Sequence, residues 1–279
     1  MDLIVEALRA MGHNVRWMSW NLFLGLIPLA LSFWLFHKPR SRWLMWGTGF
    51  LLGATFLPST ELFFSHLKHI LQDLGKSYVL GAIGITLALM AVDIWVLRQR
   101  GVRSLRWWAG FLVFIAFLPN APYVLTDIIH LIDQIKQGPS IWVVTLALIP
   151  QYLAFMLAGL EAYVLSVMSV GYYLTQQGWG KFVLVTELTI HALSAIGIYL
   201  GRFIRFNSWD IITNPDALVI TVMNDLIGKR PVVVMVATFV VIAVLYWLMK
   251  QVSLGISHRF YSQSEFAGES GNSSPRNWV

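Results

Sequence analysis

VVVMVATFVVIAVLYWLM, residues 232–249, carries no charged side chain and no proline over its whole length. About 20 consecutive apolar residues in an α-helix cross the hydrocarbon core of a bilayer, and a backbone in lipid must satisfy its own hydrogen bonds, so this stretch reads as a transmembrane helix. Working outward from it, comparable runs recur at roughly 20–36, 43–57, 78–97, 107–119, 141–165 and 182–200, separated by short polar breaks. The expected fold is therefore all-α, a polytopic transmembrane helix bundle of about seven spans. The runs near 43–57 and 107–119 are short and stop at Pro58 and Pro119, so they are expected to end within one leaflet.

Composition agrees with that reading. Of the 279 residues, 57% are hydrophobic and 12% charged, against roughly 25% charged in soluble domains. No room is left for a separate soluble domain, so residues 1–254 read as a single membrane domain and 255–279, rich in Ser, Gly and Asn, as a disordered cytoplasmic tail. The net charge of +6 does not point to nucleic acid, because the basic residues sit in loops beside spans. With no cysteine, disulfides, thiolate nucleophiles, iron–sulfur clusters and covalent c-type haem are excluded. Most of the thirteen tryptophans flank spans, where an interfacial belt is the simplest role.

The loops 37–42, with Lys38, Arg40 and Arg42, and 98–106, with Arg98, Arg100, Arg103 and Arg106, are the arginine-rich ones. Lys and Arg in short loops favour the cytoplasmic side, which sets the amino terminus outside and the carboxyl terminus inside. The longest loops, about 58–77, 120–140 and 201–231, then collect on the outer side. A shift of 61 residues aligns GFLLGATFLPST at 49–60 with GFLVFIAFLPNA at 110–121 and superposes Trp34 on Trp95, Arg42 on Arg103, Trp46 on Trp107 and His69 on His130. That is a candidate tandem two-helix repeat in the first half of the chain.

Three polar constellations stand out. In LPNAPYVLTDIIHL, residues 118–131, two prolines around Asn120 are expected to force an extended or turn conformation, after which Thr126 caps a short helix with Asp127 and His130 on one face, beside Tyr123. In the sixth span Glu187, His191, Ser194, Ile198, Arg202 and Arg205 follow at three- and four-residue steps and share one stripe. Ionisable groups inside a span face the bundle interior, pair, or line a wet cavity. A Glu187–His191 hydrogen bond that only positions helices is the structural alternative. GRFIRFNSWDIITNP at 201–215 adds Arg202, Arg205, Asn207, Trp209 and Asp210, an anion clamp or an ion-pair network with Asp127. Glu161, in the fifth span, is expected to pair with His191 or Glu187.

Asp127, His130, Glu187 and His191 are the candidate metal ligands, of a type suited to zinc, manganese or iron, although no ligand motif such as HExxH fixes them. No Walker loop, GxSxG or dinucleotide fingerprint is present.

WNLFLGLIPLALS (20–32), FLPNAPYVLTDIIHL (117–131) and GIYLGRFIRFNSWD (197–210) resemble the signature blocks of a bacterial membrane-protein family catalogued as domain of unknown function 1361. The resemblance implies a multi-pass fold in an inner or other internal membrane, and assigns no activity, substrate or cofactor. Three functions stay open: an outer site that binds or processes an anionic lipid or lipid-linked substrate, an accessory subunit docking a membrane-protein partner, and a transporter using Glu161, Glu187 and His191 as a proton or ion path.

Overall fold

A computed structural model describes residues 2–37, 41–60, 104–204 and 229–271, and among them every regular element is helical. Five helical stretches are long and apolar enough to cross a membrane: Leu3–Phe36, Leu105–Lys136, Ile141–Gln176, Gly180–Arg202 and Val232–Ile256. Large apolar side chains such as Leu146, Leu153, Leu157, Val240 and Val244 stand exposed along them, an arrangement suited to lipid rather than water. The protein is an integral membrane helix bundle.

Of the seven expected spans, the third, 78–97, lies outside the described residues. The second, α2 (Arg42–Phe56), has only 15 residues. At 1.5 Å per residue it is about 22 Å long, short of a core of about 30 Å. Ser41 caps it by accepting from the Leu44 amide at 3.4 Å. α1 (Asp2–Phe36) begins far earlier than the expected residue 20. Charged residues near its start interrupt the hydropathy but not the helix, and Pro28 is carried inside it.

Of the extended or turn conformation expected around Asn120, the structure has the turn, and its backbone stays in the helical region. α3 (Leu105–Phe117) hands over to short turns at Asn120–Tyr123 and Val124–Asp127 and then to α4 (Ile128–Lys136), with Pro119 itself at φ −62° and ψ −21°. Proline's fixed φ suits the first turn of a helix, so the two prolines restart helices here rather than ending a span. Side chains add hydrogen bonds to carbonyls along these turns. Asn120 donates to the Phe117 carbonyl at 3.0 Å and Thr126 to the Tyr123 carbonyl at 2.7 Å. Thr126 therefore holds the preceding turn and does not cap α4, whose N-cap residue is Asp127.

The Pro119–Val124 segment is seated against two closely approaching helices. A β-carbon on Gly159 of α5 (Ile149–Gln176) would lie 2.9 Å from the Ala121 carbonyl oxygen, and one on Gly197 of α6 (Val183–Tyr199) 2.7 Å from the Pro119 ring. Only glycine lets these backbones come so near. Beneath the seat lies the main core, in which Leu35, Phe36, Phe114, Leu118, Tyr163, Val164, Ile198, Ile242 and Tyr246 converge from α1, α3, α5, α6 and α7 (Lys229–Gly271). A second cluster, Met18, Val124, Leu131, Val144, Leu148, Tyr152 and Phe155, fills the end that holds Asp127.

At the opposite end His37 meets the Ser169 hydroxyl at 3.1 Å and stacks on Tyr172, and burial lowers its pKa. The Trp107 indole donates to the Leu35 carbonyl there. α7 runs on to Gly271 rather than stopping at 254, since no proline interrupts it beyond Pro231. Under the 61-residue shift α2 and α3 end in register, at Phe56 and Phe117, each followed by Leu-Pro.

Candidate functional site

Asp127 is the centre of the polar end. Its side chain is 1% exposed, and it is reached from three directions. The Asn21 amide of α1 donates to Oδ2 at 2.9 Å, Arg202 donates to Oδ1 at 3.2 Å, and His130 Nε2 stands 3.8 Å from Oδ1. The last separation is an electrostatic contact, too long for a hydrogen bond. Arg202 also donates to the Thr126 carbonyl at 2.9 Å and to the Tyr123 hydroxyl at 3.4 Å, with its guanidinium 5.7 Å from the Tyr123 ring centroid. A planar guanidinium with five donors holds a carboxylate, a carbonyl and a phenol and keeps N–H groups spare, whereas the three donors of a lysine would all be used.

Local backbone geometry sets this up. Arg202 lies in a π-helical turn, Leu200–Ile204, at the end of α6. A second π-turn, Val144–Leu148, precedes Pro150 and Tyr152. Proline removes an amide and crowds the carbonyl four residues earlier, and the wider turn relieves that conflict. Both insertions sit next to residues that face one cavity.

That cavity has a volume of about 470 Å³ and is lined by His13, Asn14, Trp17, Asn21, Tyr123, Asp127, His130, Asp133, Gln134, Gln137, Tyr152 and Arg202. Asn14, fully buried, forms an amide rack: its Nδ2 donates to Gln134 Oε1 at 3.1 Å and to Gln151 Oε1 at 3.2 Å, while Gln134 Nε2 donates back at 2.6 Å. The Trp17 indole donates to the same Asn14 oxygen, and its rings lie against His130, Tyr152 and Phe155.

The expected site residues divide. Tyr123, Thr126, Asp127, His130 and Arg202 come together, and Asn120 secures the turn beneath them. Arg205, Asn207, Trp209 and Asp210 lie outside the described residues. Glu187, His191 and Glu161 belong to a different cluster, deeper toward the opposite end. There Glu187 Oε1 accepts from Tyr246 at 2.7 Å and from Lys250 at 2.6 Å, and His191 Nδ1 is 2.7 Å from the Tyr163 hydroxyl. Glu161 Oε1 accepts from Ser253 at 2.7 Å. The expected Glu187–His191 bond and the expected pairing of Glu161 with either are replaced by partners from other helices, because α7 brings its own donors against α5 and α6. The four candidate metal ligands are thus split into two pairs, and among the described residues no three His, Cys, Asp or Glu side chains converge as a metal would require.

A family model described as protein of unknown function (DUF1361) matches residues 77–244, more than half of the chain. The chain belongs to this family. The matched DUF1361 region contains Asp127, His130, Tyr152, Glu187 and Arg202, whereas Asn14, Trp17 and Asn21, which complete the cavity, precede it. No curated protein and no solved structure matches the chain.

Sequence reasoning missed Asn14, Trp17, Asn21, Gln134, Gln151 and Tyr152. A signal existed in α1: Asn14, Trp17 and Asn21 are spaced by three and four residues and fall on one helical face. It went unread because the first span was placed from residue 20 onward.

Proposed function

We propose that the Asp127 end of the bundle binds the polar head of an anionic lipid or lipid-linked substrate. The observation that supports this reading is the cavity itself, a polar volume of about 470 Å³ with one arginine and two histidines in its wall, set at the end of helices whose flanks are apolar and exposed. Arg202, 19% exposed, is held in place by Asp127 yet keeps further N–H groups for a phosphate or carboxylate oxygen. His13 and His130 each add a ring N–H donor to the wall. Acyl or prenyl chains would lie along the apolar helix flanks.

The test is native mass spectrometry of the protein released from mixed micelles holding phosphatidylglycerol and phosphatidylcholine. Phosphatidylglycerol should be retained about tenfold better, and Arg202→Gln should remove most of that preference, as loss of a charge-assisted hydrogen bond of roughly 1.5 kcal/mol predicts. Equal retention of the two lipids would overturn the reading.

The cavity is assigned to the non-cytoplasmic face, supported by the arginines at 37–42 and 98–106, which belong at the other end of α1, α2 and α3. In sealed cells a Lys136→Cys variant of this cysteine-free chain should react with an impermeant maleimide and Ser41→Cys should not. The reverse pattern would invert the orientation.

A further inference from the structure

Tyr152 lines the cavity, is 0% exposed, and its hydroxyl meets no hydrogen-bond partner among the described residues. A buried phenol without a partner forfeits the free energy of a hydrogen bond it made in water, so the site is incomplete as it stands. The rest of the wall says what completes it. Asp133, whose side chain is 56% exposed, presents a carboxylate, which attracts donors and repels a bare phosphate. Gln134 and Gln137 present planar amides that can both donate and accept, and the Trp17 ring lies in the same wall. A phosphate brings acceptors only. A ring or chain of hydroxyls brings donors for the Asp133 carboxylate, acceptors for the phenol and amides, and C–H faces for the indole.

We propose that the head group this cavity takes is polyhydroxylated, a sugar or polyol carried on the lipid, with Tyr152 as a specificity-determining contact to one of its hydroxyls. The inference rests on the reading that the cavity receives a lipid head group, and it names the chemistry of that group.

Three probes separate the two readings: phosphatidic acid, anionic without hydroxyl groups on its head; phosphatidylinositol, anionic with a polyol ring; and monoglucosyl diacylglycerol, a sugar with no charge. Retention by the full chain is measured by native mass spectrometry, for the native sequence and for Tyr152→Phe. Removing a hydroxyl that has no protein partner should leave thermal stability unchanged, so Tyr152→Phe remains folded. Phosphatidylinositol should be retained about three- to tenfold better than phosphatidic acid, and Tyr152→Phe should abolish that margin without altering phosphatidic acid. Free inositol at millimolar concentration should displace phosphatidylinositol from the native protein, a check independent of any variant. Equal retention of the two anionic lipids, or a margin indifferent to both Tyr152→Phe and inositol, overturns the polyol inference and leaves the anionic reading standing. Tyr152-dependent retention of the glucolipid with no retention of either anionic lipid upholds the polyol inference and overturns the anionic reading. Retention of none of the three overturns both.

Discussion

Among the described residues two buried carboxylates are each paired with a cation from another helix, and the two pairs are built differently. Asp127 meets Arg202 at the wall of a cavity, with amides, a phenol and a histidine around it. Glu187 meets Lys250 where the rings of Tyr246, Tyr163 and His191 crowd together, His191 and Tyr246 with centroids 4.6 Å apart. The ammonium of Lys250 lies 5.3 Å from the Tyr246 ring. An arginine fork can serve a carboxylate and still present donors to a ligand, whereas a lysine satisfies its partner as a point charge. The Glu187 pair thus has the form of a fastening between α6 and α7. The Asp127 pair has the form of a holder for something that enters.

The largest effect is expected at the fastening. Glu187 is 10% exposed and Lys250 25%, so deleting one partner strands the other charge in a largely apolar setting. Lys250→Met or Glu187→Gln alone should destabilise the protein by about 3 to 5 kcal/mol, while the double variant should recover most of the loss, since the amide still accepts from Tyr246 and no charge remains. Unfolding titrations in mixed detergent micelles read this directly. A double variant no more stable than its worse parent would mean that the pair does more than fasten, and the contrast with Asp127 would weaken. Lipid retention should be unaffected by either single change as long as the protein is folded.

How far each region is legible in the sequence follows from the same physics. A continuous apolar run such as 232–249 has one stable solution in lipid, so the bundle class could be read without any contact information. Asp127 and Arg202 could be paired as candidates because both are ionisable and both fall at the ends of spans on one side. Lys250 follows the last apolar residue of the final run, and by hydropathy alone it is a charge at the end of a span. Its long stem reaches back to Glu187, and side-chain reach is not visible in hydropathy. Tyr152 is invisible for another reason: an aromatic residue is ordinary in a span, and only the folded neighbours reveal that its hydroxyl has no partner among the described residues. The turn at Pro119 is legible from its prolines, but proline both ends and begins helices, and that helical turns follow depends on the seat that Gly159 and Gly197 provide.

A smaller effect is expected for the Asp127–Arg202 pair, and it sharpens the comparison. Asp127 keeps the Asn21 amide when Arg202 is lost, and Arg202 keeps the Thr126 carbonyl and Tyr123 hydroxyl when Asp127 is lost, so neither single change strands its partner completely. A double-mutant cycle with Asp127→Asn and Arg202→Gln, read by thermal stability in detergent, should give a coupling of about 1 to 3 kcal/mol. Additivity would show that the two side chains do not interact, and the proposed site would lose its centre. Coupling alone does not distinguish a holder from a fastening, because both are ion pairs. The distinction lies in the double variant: at Glu187 and Lys250 removing both charges should leave lipid retention intact, whereas at Asp127 and Arg202 it should restore part of the stability and still abolish selective retention. If the double variant at Asp127 and Arg202 keeps its lipid, the arginine is only a clamp on the Pro119 turn, and the difference between the two regions reduces to how much water each one sees.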